Sequence, residues 1–178
     1  MLKSQISLRA PTKSDISALA RLGRDTFIET FGPLYKPADL QTFLTEAYSD
    51  QVVTAELADP RLIHQVIEHK NDLIAFIKIG PVHVPAVNPL PDAMEIWQLY
   101  LRQTFLGHGL GDLLMNWAFE QFAVRQAPEI YLSVFSENKR AIAFYQKYGF
   151  EKHRDYDFPV GEQIDLEWIM KKSSPSWE

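Results

Sequence analysis

The chain has 178 residues, 46% of them hydrophobic and 12% aromatic, with 23 acidic and 18 basic side chains for a formal net charge of −5. That length supports one domain with a substantial core rather than two, and the composition is that of a folded chain. The absence of cysteine excludes disulfides, thiolate metal ligands and a cysteine acyl-enzyme, and the acidic balance argues against a nucleic-acid partner.

Ile6 to Arg9 reads as a short opening strand ended by Pro11. Thr12 or Ser14 can cap a helix whose apolar positions Ile16, Leu19, Ala20, Leu22, Phe27 and Ile28 recur at helical spacing, and Gly32-Pro33 breaks it. A second helix starts near Pro37 and runs through Leu40, Phe43, Leu44 and Ala47, and a third spans about Gln51 to Leu57. Leu62–Glu68 and Asp72–Ile79 form a hairpin about Lys70-Asn71, and four prolines within residues 80–91 mark a loop. Met94–Leu101 is a strand, and the helix from Leu110 to about Arg125 buries Leu110, Leu113, Leu114, Trp117, Ala118 and Phe122. A strand at Ile130–Phe135, a helix at Asn138–Tyr148 and a hairpin of Phe150–Phe158 with Gln163–Lys171 follow. The expectation is a mixed α+β fold in one domain over residues 1–172, with a frayed tail at 173–178. No apolar run approaches a membrane span and the first residues lack a signal core, so a cytoplasmic setting is expected.

Between the strand ending at Leu101 and the helix starting at Leu110, Gly107, Gly109 and Gly111 alternate, three of the chain's eight glycines. Glycines at such a turn let backbone N–H groups approach a ligand closely. The free first N–H groups of the helix and its dipole then attract an anion. A phosphate cradle is therefore expected, a plain connecting turn being the bland alternative. Gly111 is followed by Asp112 and Leu113 rather than Lys and Ser/Thr, which excludes a P-loop. Asp112 also stands where a dinucleotide fingerprint has its last glycine.

Gly109-Leu110-Gly111 resembles the end of the pyrophosphate loop, Gln/Arg-x-x-Gly-x-Gly/Ala, of the GCN5-related N-acetyltransferase (GNAT) family. The run Asn138-Lys-Arg-Ala141-Ile-Ala-Phe144-Tyr145-Gln-Lys147-Tyr-Gly149-Phe150 is similar to that family's second signature, in the same order and at a typical separation. Within the family the chain looks most like the bacterial PaiA-type spermidine/spermine N-acetyltransferases. One departure is plain: the Gln/Arg position holds Leu106.

The resemblance implies a mostly antiparallel central sheet of about seven strands flanked by helices, with one parallel, splayed pair forming a wedge for acetyl-CoA. It implies cofactor contacts from Leu99, Tyr100 and Leu101 on the strand, from Gly107, His108, Gly109, Leu110, Gly111 and Asp112 in the loop, and from Asn138 and Lys147. His108 is the candidate to replace the missing Gln/Arg, although it can equally be a polar loop residue. Asn138 can serve as an N-cap, and Lys147 as an exposed helix lysine. The other histidines show no metal-ligand spacing, so no metal is expected.

An alkyl ammonium has a pKa of about 10.4, so the acceptor must lose a proton before it attacks a thioester, and the departing thiolate must gain one. By the resemblance Tyr145 is the acid, although it also lies on a stripe with Ala141, Phe144 and Tyr148 that suits core packing. Glu95 matches the position of a general base in histone-acetylating members, and strict alternation puts it on the face of Trp97, Leu99 and Leu101; a solvent-facing glutamate is the other reading. Carboxylates including Glu29, Glu46, Asp155, Asp157, Glu162, Asp165 and Glu167, with Tyr35, Tyr48 and Tyr156, suit a small cationic amine such as a polyamine and equally suit a solvated surface. The expected activity is direct acetyl transfer to a primary amine. The alternatives are a protein or peptide N-acetyltransferase and a catalytically silent CoA-binding regulatory module. A monomer and a homodimer both stay open.

Overall fold

The computed structural model describes residues 5–173; the expected tail, apart from Ser173, lies outside them. The strands are β1 (Ile6–Arg9), β2 (Ile63–His69), β3 (Asp72–Pro81), β4 (Met94–Leu101), β5 (Glu129–Phe135), β6 (Glu151–Val160) and β7 (Gln163–Ser173), and the helices are α1 (Ile16–Phe31), α2 (Pro37–Tyr48), α3 (Asp50–Ala58), α4 (Leu110–Val124) and α5 (Lys139–Lys147). They build one seven-stranded sheet in the order β1-β2-β3-β4-β5-β7-β6. Every neighbouring pair is antiparallel except β4 with β5. No helix among the described residues is long and apolar enough to cross a membrane.

The β2–β3 turn places Lys70 and Asn71 at φ 52° and 67°, the left-handed pair that a tight two-residue hairpin needs. Ser49 caps α3 by accepting from the Val52 N–H at 3.3 Å. Before α1 a single 3-10 turn intervenes, where the Asp15 carboxylate accepts from the Thr12 N–H at 2.7 Å and is gripped by Arg9 at 2.8 Å. Ser173 pairs with Glu129, so β7 extends into the stretch expected to fray.

Two layers of helices cover the sheet. One face packs α4 and α5 through Leu110, Leu114, Met115, Ala118, Phe122, Ile142 and Tyr145 onto Ile77, Ile79, Ile96, Ile130 and Leu132. The expected inward face of α4 changes slightly: Met115 is buried, while Leu113 and Trp117 are only half-buried. The other face carries α1 and α3 against Val66, Leu73 and Phe76, and an apolar knot of Phe27, Leu44 and Tyr48 joins α1 to α2.

Two features of the sheet create the site. The parallel pairing runs only over Met94–Ile130, Glu95–Tyr131 and Ile96–Leu132, after which β4 and β5 diverge and leave a wedge. The second feature is a bulge: Lys78 pairs with Gln98 and Ile79 with Ile96, so Trp97 has no partner across the ladder. The extra residue reverses the alternation. Met94, Ile96, Leu99 and Leu101 all point toward α4 and α5, while Gln98 and Tyr100 face α1 and α2. The expectation that Glu95 shares a face with Leu99 and Leu101 is therefore overturned; it lies on the face of Gln98 and Tyr100, paired in register with Tyr131.

Candidate active site

The wedge opens into a cavity of about 810 Å³ that runs through the sheet, from the α4 and α5 side to the α1 and α2 side. Its first wall is the loop before α4. Arg102 ion-pairs with Asp25 at 3.0 Å, and the Gln103 N–H donates to Glu29 at 2.9 Å, so α1 holds the start of this loop. Gly107 and Gly109 adopt φ of 81° and 75°, and Gly109 is the residue from which α4 departs. A side chain at either would strain the backbone. Gly111 is helical, and its bare Cα is needed because the Phe144 ring lies against it. Leu106, Gly107, Gly109, Leu110, Gly111 and Asp112 all line the cavity. The positive end of α4 is thus directed at it.

The second wall is α5. Asn138 caps the helix, its Oδ1 accepting from the Ala141 N–H at 3.2 Å, and it lines the cavity. Its N-cap role leaves the amide nitrogen available as a donor. Tyr145 also lines the cavity and is only 8% exposed. Its position is fixed from behind: the Phe150 N–H donates to the Tyr145 carbonyl at 3.2 Å and the Gly149 N–H to the Gln146 carbonyl at 2.9 Å, a Schellman end that sets the Phe150 ring edge-to-face with Tyr145, centroids 6.1 Å apart. Burial raises the Tyr145 hydroxyl, and nearby Tyr100 adds to this, so it stays protonated at neutral pH.

Three expected contributors stand elsewhere. The exposed His108 turns its Nδ1 to the Leu106 carbonyl at 3.1 Å and is not among the cavity-lining residues. Lys147 pairs with Asp112 at 2.7 Å, and Tyr148 also donates to that carboxylate. Glu95 is 1% exposed; its Oε2 accepts from the His83 and Val84 N–H groups at 2.7 and 3.0 Å, and its Oε1 lies 2.7 Å from His83 Nδ1. Leu99, Tyr100 and Leu101 line the cavity.

On the α1 and α2 side the cavity becomes an aromatic chamber. Phe27, Phe31, Tyr35, Phe43 and Tyr48 form one wall, with Tyr156 and Phe158 of β6 opposite. Its carboxylates are Asp165 and Glu167, with Glu46 and Glu56 also on the lining. Asp165 is buried and bonded by Tyr35 and by Gln163 at 2.7 Å. Glu167, beside the start of the splay, presents a buried Oε2 with no hydrogen-bond partner among the described residues. Burial raises the Glu167 carboxyl, and neighbouring Asp165 reinforces the shift against the opposing Ser133. Glu167 in turn raises the hydroxyls of Tyr35, Tyr48, Tyr100 and Tyr156, each of which burial raises more, with Tyr100 reaching about 12. Two cations also reach the cavity: Lys78, buried against Glu56, and Arg140 in the first turn of α5. Sequence reasoning passed over Arg140 although it sits inside the second signature, two residues after the helix cap.

The sequence pattern of the Acetyltransferase (GNAT) family matches residues 24–150. The chain belongs to the GNAT acetyltransferase family. The acetyltransferase is similar over 91% of its length to an uncharacterized N-acetyltransferase encoded in the pepI 3′ region of Lactobacillus delbrueckii subsp. lactis, at 24% identity and across 94% of that relative. It is also 27% identical to the spermine/spermidine N(1)-acetyltransferase of Bacillus subtilis over 54% of this chain and 63% of that one. Its fold resembles that of the PaiA N-acetyltransferase of Thermoplasma acidophilum, solved in complex with coenzyme A, with a TM-score of 0.74 at 20% identity over 95% and 99% of the two chains.

Proposed function

We propose that this acetyltransferase passes the acetyl group of acetyl-CoA directly to a primary amine on a small cationic acceptor, a polyamine or a similar amine. The observation that carries the acceptor class is Glu167: a desolvated carboxylate oxygen without a partner, in a chamber walled by aromatic rings and shared with Asp165. A buried acceptor atom of this kind is costly unless a donor arrives, and an ammonium supplies both charge and N–H groups. Aromatic faces stabilise the same cation. The partial match to a spermine/spermidine acetyltransferase supports the same class.

Acetyl-CoA fits the other half of the cavity. The β4 edge left unpaired from Trp97 to Leu101 suits the amides of its pantetheine arm, and the bare turn at 107–111 suits its diphosphate. Asn138 adds an amide donor and Arg140 a cation. Tyr145 then protonates the sulfur as the C–S bond breaks, its burial keeping the proton in place until a thiolate forms. The glycine loop and α5 converge on one end of the cavity and the carboxylates line the other, so transfer needs no covalent enzyme intermediate.

The test is acetyl-CoA titration by calorimetry, followed by thiol release across amines, peptides and uncharged acceptors. Saturable turnover with spermidine-like amines and little with peptides is expected. Turnover on peptides alone would give a protein acetyltransferase instead, and binding without turnover would give a silent CoA-binding module.

A further inference from the structure

His83 lies in the loop between β3 and β4, lines the cavity, and has a side chain 54% exposed. Its ring is held on two sides. It stacks on Trp97 with centroids 3.9 Å apart and planes 23° apart, and its Nδ1 is 2.7 Å from Glu95 Oε1. The Trp97 indole is itself fixed, donating from Nε1 to the Pro81 carbonyl at 2.8 Å.

The tautomer follows from the partners. Glu95 already accepts two backbone N–H groups on Oε2, and a carboxylate in that setting offers only acceptor sites. Nδ1 must therefore carry the proton that points at Oε1, which leaves the neutral ring with its lone pair on Nε2. A buried carboxylate, a stacked ring and an Nε2 without a hydrogen-bond partner among the described residues make a positioned base. The dyad also adjoins the acceptor chamber: after burial, the charges of Glu167 and Glu95 both raise the hydroxyl of Tyr156, which lines that chamber.

We infer that His83 is the proton acceptor of the transfer reaction and that Glu95 is the positioning residue that orients it. The inference rests on the acetyl-transfer reading above. Two protons leave the nitrogen overall. The first passes from the ammonium to Nε2 of His83 and on to solvent through the exposed edge of the ring. The freed lone pair attacks the acetyl carbonyl, the C–S bond breaks, and Tyr145 gives its proton to sulfur. The second nitrogen proton is lost as the amide forms and, through solvent, restores Tyr145. The buried Glu95, matched by resemblance to a general base, thereby acts at one remove.

The charged and titratable groups around His83 are Glu95 on β4, Lys78 on β3 with its Nζ 5.2 Å from the Trp97 ring centroid and paired to Glu56 of α3, Tyr131 on β5 in register with Glu95, and on β6 Tyr156, Arg154, which donates to Pro85 of the same loop at 3.1 Å, and His153, whose Nε2 accepts from the Val87 N–H of that loop at 3.4 Å.

The experiment compares wild-type, His83→Asn and Glu95→Gln enzymes by pH-resolved thiol release, acetyl-CoA affinity and nitrogen-15 NMR of the histidines. Wild-type enzyme is expected to show, besides His108 with its Nδ1 on the Leu106 carbonyl, an imidazole whose neutral form is protonated at Nδ1 and whose signal disappears in His83→Asn. That variant should bind acetyl-CoA normally, lose about 10²-fold in kcat/KM for the amine at pH 7, and lose the acidic limb of its profile. Added imidazole should restore part of the rate. Glu95→Gln should fall in the same direction with the His83 tautomer mixed; if it does not fold, the surface variant decides alone. A His83→Asn enzyme with the wild-type pH profile, or one slowed without any response to imidazole, overturns the assignment. Absence of amine-dependent thiol release from wild-type enzyme would instead overturn the acetyl-transfer reading itself.

Discussion

Gly111 and Phe144 touch across the gap between α4 and α5, so closely that a methyl group on Gly111 would stand 3.2 Å from the tip of the ring. The backbone at Gly111 is helical, so alanine there gains up to about 1 kcal/mol of helix propensity while pushing Phe144 aside. The two effects offset in the fold but not in the site, because Phe144 and Tyr145 are consecutive on α5. Gly111→Ala is expected to melt within a few degrees of wild type and to bind CoA about tenfold more weakly, measured by calorimetry. Equal affinity would show that the close approach has no part in forming the cradle.

Tyr145→Phe separates chemistry from packing. The ring keeps its contact with Phe150, and the hydroxyl has no hydrogen-bond partner among the described residues. Removing it therefore costs little stability. Turnover should fall about 10²-fold, the usual worth of a positioned proton donor, with CoA affinity changed less than twofold. Retained turnover would remove Tyr145 as the acid.

Leu106 occupies the position where the family motif has Gln or Arg, and it lines the cavity. Leu106→Arg should add charge-assisted hydrogen bonds to the diphosphate and tighten CoA binding by about tenfold. If Arg140 already supplies part of that charge, Arg140→Ala should raise KM for acetyl-CoA while leaving kcat nearly intact. An Arg140→Ala enzyme with an unaltered KM would leave the diphosphate to the backbone alone.

Glu167 carries a prediction with opposite signs for stability and function. Burial raises its carboxyl in the folded chain, so between its unfolded and folded pKa values the folded state holds the extra proton. Its contribution to stability is thus complete below the unfolded value, near pH 4.3, and is lost as pH rises through the folded value. Glu167→Gln should melt higher than wild type at pH 7, by about 2–4 °C for each kcal/mol recovered, and the gain should vanish in acid. The same change should raise KM for a polyamine severalfold and leave KM for an uncharged amine alone. A cationic substrate indifferent to the substitution would take Glu167 out of acceptor binding.

Most elements could be read locally because their signals are local. Lys70-Asn71 marks a turn, Asn138 a cap, and Gly149 a helix end, each acting within a few residues of itself. What escaped depends on partners far along the chain. Met94 to Leu101 breaks its alternation at the adjacent apolar pair Ile96-Trp97, but only the register with β3 identifies that break as a bulge. Glu167 looks like one surface carboxylate among many until β7 lies beside β5. His83 comes from a proline-rich loop, and only the buried Glu95 and the Trp97 ring, both on the following strand, give its ring an orientation.

The unpaired Trp97 has one more effect. Upstream of it β4 directs Glu95 to the face of Gln98 and Tyr100, and downstream Leu99 and Leu101 turn to the apolar face packed by α4 and α5. A single strand can therefore serve two compartments of opposite chemistry. Excising that tryptophan would join Ile96 to Gln98 in a regular pleat, leave every other side chain of the strand on its present face, and remove the ring on which the histidine stacks.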